Sequence, residues 1–146
     1  DEVREGAFLR EALELHAVEE VARAATAEQV EALRRGLALQ EALVAAGEAG
    51  SFYEEDARMH EAILGMTGHR RLPALSRSAW VHVDRARRLV LPSPGRVAET
   101  LAEHRAIVEA IAAHDPGAAR EAVRRHLRQL ATRLEALAEE RPELFG

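Results

Sequence analysis

Glu54-Glu-Asp-Ala-Arg-Met-His60 places an aspartate and a histidine four residues apart. On a helix, Asp56 and His60 share one face, together with Phe52, Met59 and Ile63. A carboxylate and an imidazole therefore interrupt an apolar stripe. Their burial is costly unless something pairs with them.

Two later helical patterns carry the same interruption. Val97, Leu101, His104, Val108 and Ile111 recur at helical spacing, with His104 in the middle. Ala119, Val123, His126, Leu130, Leu134 and Leu137 do the same around His126. One histidine on an apolar stripe is most often a satisfied core residue. Three, with an aspartate, on three amphipathic helices are harder to account for that way. Each neutral imidazole needs a donor and an acceptor, and the carboxylate needs positive charge. One divalent cation held by Asp56, His60, His104 and His126 meets all four needs. Imidazole and carboxylate suit Zn²⁺, Ni²⁺, Co²⁺, Fe²⁺ or Mn²⁺ rather than Ca²⁺ or Mg²⁺. Four protein ligands around tetrahedral zinc would make a closed, structural site, and a higher coordination number leaves room for a ligand carboxylate.

The rest of the composition fits this reading. The 146 residues suit one domain with a real core. They are 47% hydrophobic and only 3% aromatic, rich in Ala, Leu, Glu and Arg, which favours helix. The absence of cysteine excludes disulfides, thiolate metal sites and cysteine nucleophiles. A formal charge of −5 argues against a nucleic-acid grip by this piece alone. No apolar run has membrane-spanning length and no signal-peptide pattern occurs, so a cytoplasmic protein is the expectation.

Working outward, the pattern predicts an all-α antiparallel bundle of about six helices with short connections over residues 1–146. The first runs from Val3 to about Ala25, with Phe8, Ala12, Leu15, Val18 and Ala22 inward. Arg10 and Glu14 read as a surface ion pair on an adjacent face. Thr26-Ala-Glu-Gln29 is a capping box that starts the second helix. That helix buries Val30, Leu33, Leu37 and Val44 and ends at Gly47 and Gly50. Ser51-Phe-Tyr-Glu54 reads as another capping box, opening the helix that ends near Met66 and Gly68. The fourth runs from about Arg70 to Val90, with Pro73 near its start and Leu75, Ala79, His82, Ala86 and Leu89 inward. Arg85, Arg87 and Arg88 read as a solvated face, from which one arginine can turn into a pocket. Ser93 and Pro94 open the fifth helix, and Asp115 and Pro116 the sixth. The tail from Arg141 reads as loosely held. His16, His69, His82 and His114 fall outside the ligand pattern.

These segments resemble a known family. FYEEDARMHEAILGMTGHRRL and LAEHRAIVEAIAAHDPGAAREAVRRHLRQL are similar to the two metal-bearing segments of the FCD domain, and FLREALELHAVEEVA looks like its opening helix. FCD is the ligand-binding domain of FadR-type GntR transcription regulators. The resemblance implies Asp56, His60, His104 and His126 as ligands of a divalent transition metal, Zn, Ni or Mn foremost. It implies Arg10 beside the effector and a small organic acid as that effector; Arg85 or Arg88, from the basic run on the fourth helix, are further candidates to bind the anion. It also implies a homodimer that reaches DNA only through an N-terminal winged helix-turn-helix, which these residues lack. The chain, starting at Asp1, thus reads as a piece of a longer regulator. Met59, His69 and His114 depart from the family's usual residues without touching the ligand positions.

Two other classes remain at this stage. A mononuclear metal enzyme would need a general base near the ion. Glu103 and Glu61 sit beside ligand histidines in sequence, but about 100° around the helix from them. A helical interaction module with a structural ion is the other.

Overall fold

The structure, a computed structural model, describes residues 2–90 and 95–144. It contains α1 (Glu2–Ala24), α2 (Ala27–Ala45), α3 (Ala49–Met66), α4 (Leu72–Val90), α5 (Arg96–Ala112) and α6 (Pro116–Glu140), then a 3₁₀ turn over Pro142–Leu144. The all-α expectation holds. No helix among the described residues is long and apolar enough to cross a membrane.

Local chemistry sets most boundaries. Thr26 and Gln29 form the expected reciprocal capping box. Asp115 accepts from the Ala118 amide, and Pro116 takes the first position of α6. Gly47 and Gly68 adopt positive φ, at +72° and +77°, just past α2 and α3. The expected box at Ser51 is not used. α3 starts three residues earlier, with Glu48 at the cap position and Ala49 its first residue, without a side-chain cap, and Gly50 lies inside it. Ser93 and Pro94 lie outside the described residues.

The helix α1 runs through the molecule, packed on α4 and α6 and touching α3 and α5, while α2 lies across α3 and α5. The main core joins Leu15, Val18, Ile63, Ile107, Ile111 and Val123. Phe52, Tyr53 and Leu101 form a second cluster, and Val83, Leu130 and Leu134 a third.

Two helices are rotated from the sequence expectation. On α1, Phe8 is 74% exposed and Ala12 is exposed, while Gly6, Arg10, Glu14 and Ala17 face inward. On α4, Leu75 and His82 are exposed, and Ser76, Trp80, Val83 and Arg87 are buried. The physical reason is the close approach of the two helices. A Cβ added at Gly6 would stand 2.7 Å from the Ala79 carbonyl oxygen and 3.0 Å from Val83. Only glycine lets α1 lie this near, and that contact turns Arg10 and Trp80 inward together. Gly6→Ala is expected to destabilise the fold by about 1–3 kcal/mol, because backbone cannot yield to the new methyl. Urea denaturation checks this.

Candidate metal centre

The helix α3 presents Asp56 and His60 one turn apart, α5 presents His104, and α6 presents His126. All four are buried, His104 completely. One ligand atom from each lies within 4.8 Å of all the others. The His60 Nε2 atom is 3.1 Å from Asp56 Oδ1 and 3.1 Å from His126 Nε2. The His104 Nε2 atom is 3.0 Å from the same Asp56 oxygen.

The opposite nitrogen of each ring explains this orientation. His60 Nδ1 lies 2.7 Å from Glu14 Oε2, His104 Nδ1 lies 2.7 Å from Gln40 Oε1, and His126 Nδ1 lies 2.5 Å from Glu103 Oε2. Glu14, Gln40 and Glu103 present acceptor oxygens, so each Nδ1 carries the proton and donates. Each Nε2 then turns a lone pair toward the centre. Lone pairs 3.1 Å apart, beside a carboxylate oxygen, repel unless a cation or proton lies among them. Asp56 Oδ1 and His104 Nε2 indeed make no hydrogen bond and are fully buried. This outer ring of acceptors, fixing the tautomer and raising ligand basicity, is how proteins prepare imidazoles for metal. The donor set fits a divalent transition metal.

Three arginines complete the site. Arg10 donates from Nε to Glu14 Oε1 at 2.8 Å and lies 3.8 Å over the Trp80 ring. Arg87 donates to Asp56 Oδ2 and to Asp84, which leaves Asp56 Oδ1 for the centre. Arg96 donates to Glu103. The reading of Arg10 and Glu14 as a surface pair is therefore corrected: both are buried, on the inner face of α1. Arg85 and Arg88 lie on the outer face of α4, away from the cluster, and Arg88 pairs with Asp84. The arginine that turns inward is Arg87. Of the remaining histidines, His16, His69 and His82 are exposed, and His114 Nδ1 donates to the Ala22 carbonyl oxygen.

Electrostatics keep the carboxylates charged. Burial works against the Glu14 anion, but His60 and Arg10 outweigh it and lower its pKa to about 2. Burial likewise opposes the Asp56 anion, and Arg87 and His104 overcome it, holding its pKa well below the ordinary value. Burial pushes His104 down and takes His126 to about 3. His60 is the exception: burial disfavours its cation, yet the Glu14 and Asp56 carboxylates beside it move its pKa upward.

These shifts predict acid sensitivity without metal. His126 stays neutral in the fold down to about 3, while an unfolded histidine titrates near 6.5. Between those values the unfolded chain binds more protons, so stability falls as pH drops. His104 acts in the same direction, and Glu14 adds a loss as pH falls from 4.5 to about 2. His60 contributes oppositely, stabilising below its unfolded value and less as pH rises through its folded one. The melting temperature of metal-free protein is expected to fall steadily from pH 6.5 to 4, and less steeply in His126→Leu. Melts at stepped pH measure this.

Glu14, Gln40, Glu103 and Arg87 escaped the sequence reading as parts of this site. Gln40 was the most accessible of them, since it continues the stripe Leu33, Leu37, Val44 and is wholly buried. Glu103 does lie around the helix from His104, as expected, but it reaches His126 on α6 instead. It binds the outward nitrogen and so is no base for chemistry at the centre.

A sequence model of the FCD domain matches residues 5–129. Over 144 residues the chain is 33% identical to an uncharacterized HTH-type transcriptional regulator in an unstable DNA locus of Streptomyces ambofaciens. That alignment covers 99% of this chain and 60% of the relative. The chain therefore spans about 60% of the length of the curated relative that it matches.

Proposed function

Because this chain belongs to the FCD domain family, we propose that it is the effector-binding domain of a bacterial transcription regulator, sensing a small organic acid at a metal centre. Asp56, His60, His104 and His126 would hold the ion, with Zn, Ni or Mn the foremost candidates. The observation that carries the reading is the convergence of three anchored imidazoles and one carboxylate oxygen within 4.8 Å of one another. A bound divalent ion supplies a charge to which a carboxylate can bond.

The chain's own residues favour an anion beside it. Buried Arg10, Arg87 and Arg96 face Glu14, Asp56 and Glu103 around the cluster, and the more exposed Asp84 and Glu99 meet Arg87 and Arg96 from the solvent side. An added divalent ion leaves this buried shell with excess positive charge, which an anion offsets. Arg10 also keeps one buried Nη2 without a hydrogen-bond partner. Arg87 and Arg96 keep an unpartnered Nε as well, but a terminal Nη2 reaches farthest, so Arg10 would take a carboxylate oxygen of the effector. Arg10 reaches from α1, and Trp80 and Arg87 from α4, so an effector at the centre touches most of the bundle. Any difference in its affinity for two helix arrangements shifts their balance. In the intact homodimer that shift would change how helix-turn-helix domains outside these residues meet DNA. A regulator of this kind returns its effector unchanged and has no catalytic residues.

A panel of organic acids, run as thermal melts with and without chelator, tests the proposal. One acid is expected to raise the melting temperature only in metal-loaded protein. Indifference of the loaded protein to every acid would count against a carboxylate effector. Arg10→Ala is expected to weaken that acid's binding about 10- to 100-fold, the loss of one charge-assisted contact, with metal content unchanged. Calorimetric titration and elemental analysis read the two quantities separately. Loss of the metal instead would show that Arg10 serves the ion site.

A further inference from the structure

The four residues that converge on the centre are at most 5% exposed, so neither an ion nor an effector reaches them while the bundle keeps this arrangement. A helix has to move, and the one that moves at least cost is the one with least apolar burial. Among the described residues, Val83 is the single α4 side chain in the three apolar clusters, where it packs on Leu130, Leu134, Val3 and Ala7. Each of the other five helices supplies at least two buried residues to those clusters. We infer that α4 is the movable wall of the metal centre, tilting about Val83 and away from α3 to admit the ion and its organic acid.

The two sides of α4 differ. Toward α1 and α6 it is fixed by Val83 and by the close approach of Gly6 to Ala79. Toward α3 a cavity of about 280 Å³ separates the helices, walled by Ala57 and Leu64 on one and by Pro73 and Val81 on the other. The links across it are polar: Arg87 to Asp56 inside, and Arg77 to Glu61 outside. An apolar contact loses its burial when it opens to water, whereas an ion pair that opens is hydrated at both ends. The inner face of α4 gains further. Ser76 Oγ, Trp80 Nε1 and Arg87 Nε are buried without a hydrogen-bond partner, and each meets water once α4 tilts.

Lifting that face uncovers the centre itself. The Trp80 ring lies 5.2 Å from the His60 ring and 3.8 Å beneath the Arg10 guanidinium, and Arg87 holds Asp56. The role of α4 as an entry rests on the metal-borne effector proposed above, whereas the tilt is a property of the bundle alone.

The chain has no cysteine, so an introduced pair can be joined selectively. Glu61→Cys with Arg77→Cys, joined by a short bismaleimide, ties α3 to α4 at two exposed positions. Glu41→Cys with Arg105→Cys, which replaces an exposed ion pair between α2 and α5, is the control. The readout is the rate of Zn²⁺ release to excess chelator. The first link is expected to slow release about tenfold or more, and the control link to leave it unchanged. Native-state hydrogen exchange of chelator-treated protein reads the tilt without metal. The α4 amides near Trp80 should show protection about tenfold or more below that of the α5 amides near His104. Equal release with and without the first link, equal slowing by both links, or α4 amides as protected as those of α5 would each overturn the inference. A chain that retains no Zn²⁺ would contradict the metal reading and the entry role with it, and exchange alone would then decide the tilt.

Discussion

Replacing His104 and His126 together by alanine is expected to take bound metal from about one ion per chain to none after dialysis. The two imidazoles come from α5 and α6, whereas Asp56 and His60 share α3. Without them, one aspartate and one histidine on a single helix remain, which is too few to retain an ion against dialysis. The loss should be nearly complete in either single variant as well. His69→Ala and His114→Ala serve as controls, because these histidines lie outside the cluster. They should keep the full metal content. Elemental analysis of the folded variants reads the result, and unchanged metal in the double variant would remove the site.

Arg87→Ala carries the largest expected effect on stability. Its guanidinium, 4% exposed, is the cation on Asp56 Oδ2, and Asp56 is itself 2% exposed. Truncation leaves a buried carboxylate without that partner, a loss of about 3–5 kcal/mol in metal-free protein. In metal-loaded protein the ion would add a second positive charge beside Asp56, next to that of Arg87. Metal should therefore restore much of what the variant loses. Urea denaturation with chelator and with Zn²⁺ measures both states. An equal loss in the two would mean that Arg87 contributes packing over the Tyr53 ring, 5.6 Å away, rather than charge.

The periodicity of α5 and α6 was largely legible, with Val97 and Leu137 at the ends of the expected stripes only half-buried. His104 and His126 sit among Leu101, Val108, Val123 and Leu130, and all of these are buried as the spacing requires. The four-residue step from Asp56 to His60 was equally plain, so the cluster emerged from residue types alone. What stayed hidden depended on contacts between helices. The inward face of α1 holds Gly6, Arg10 and Glu14, and a polarity pattern assigns such residues to solvent. Only the approach of α4 to Gly6 turns them inside. The same contact decides that Trp80 and Arg87, not Leu75 and His82, face the core. The anchoring of His126 by Glu103 links α5 to α6, a pairing that position along one helix does not reveal. The start of α3 was misread because Ser51 offered a good cap, whereas the helix begins at the exposed Ala49 without any side-chain cap.

Metal content of the purified protein, measured by elemental analysis after dialysis and again after reloading with Zn²⁺, Ni²⁺ or Mn²⁺, tests the central claim most directly. The geometry predicts about one ion per chain, removable by chelator and taken up again with a rise in melting temperature. No retained metal, with melting indifferent to all three ions, would contradict it and leave Asp56, His60, His104 and His126 as a hydrogen-bonded polar core.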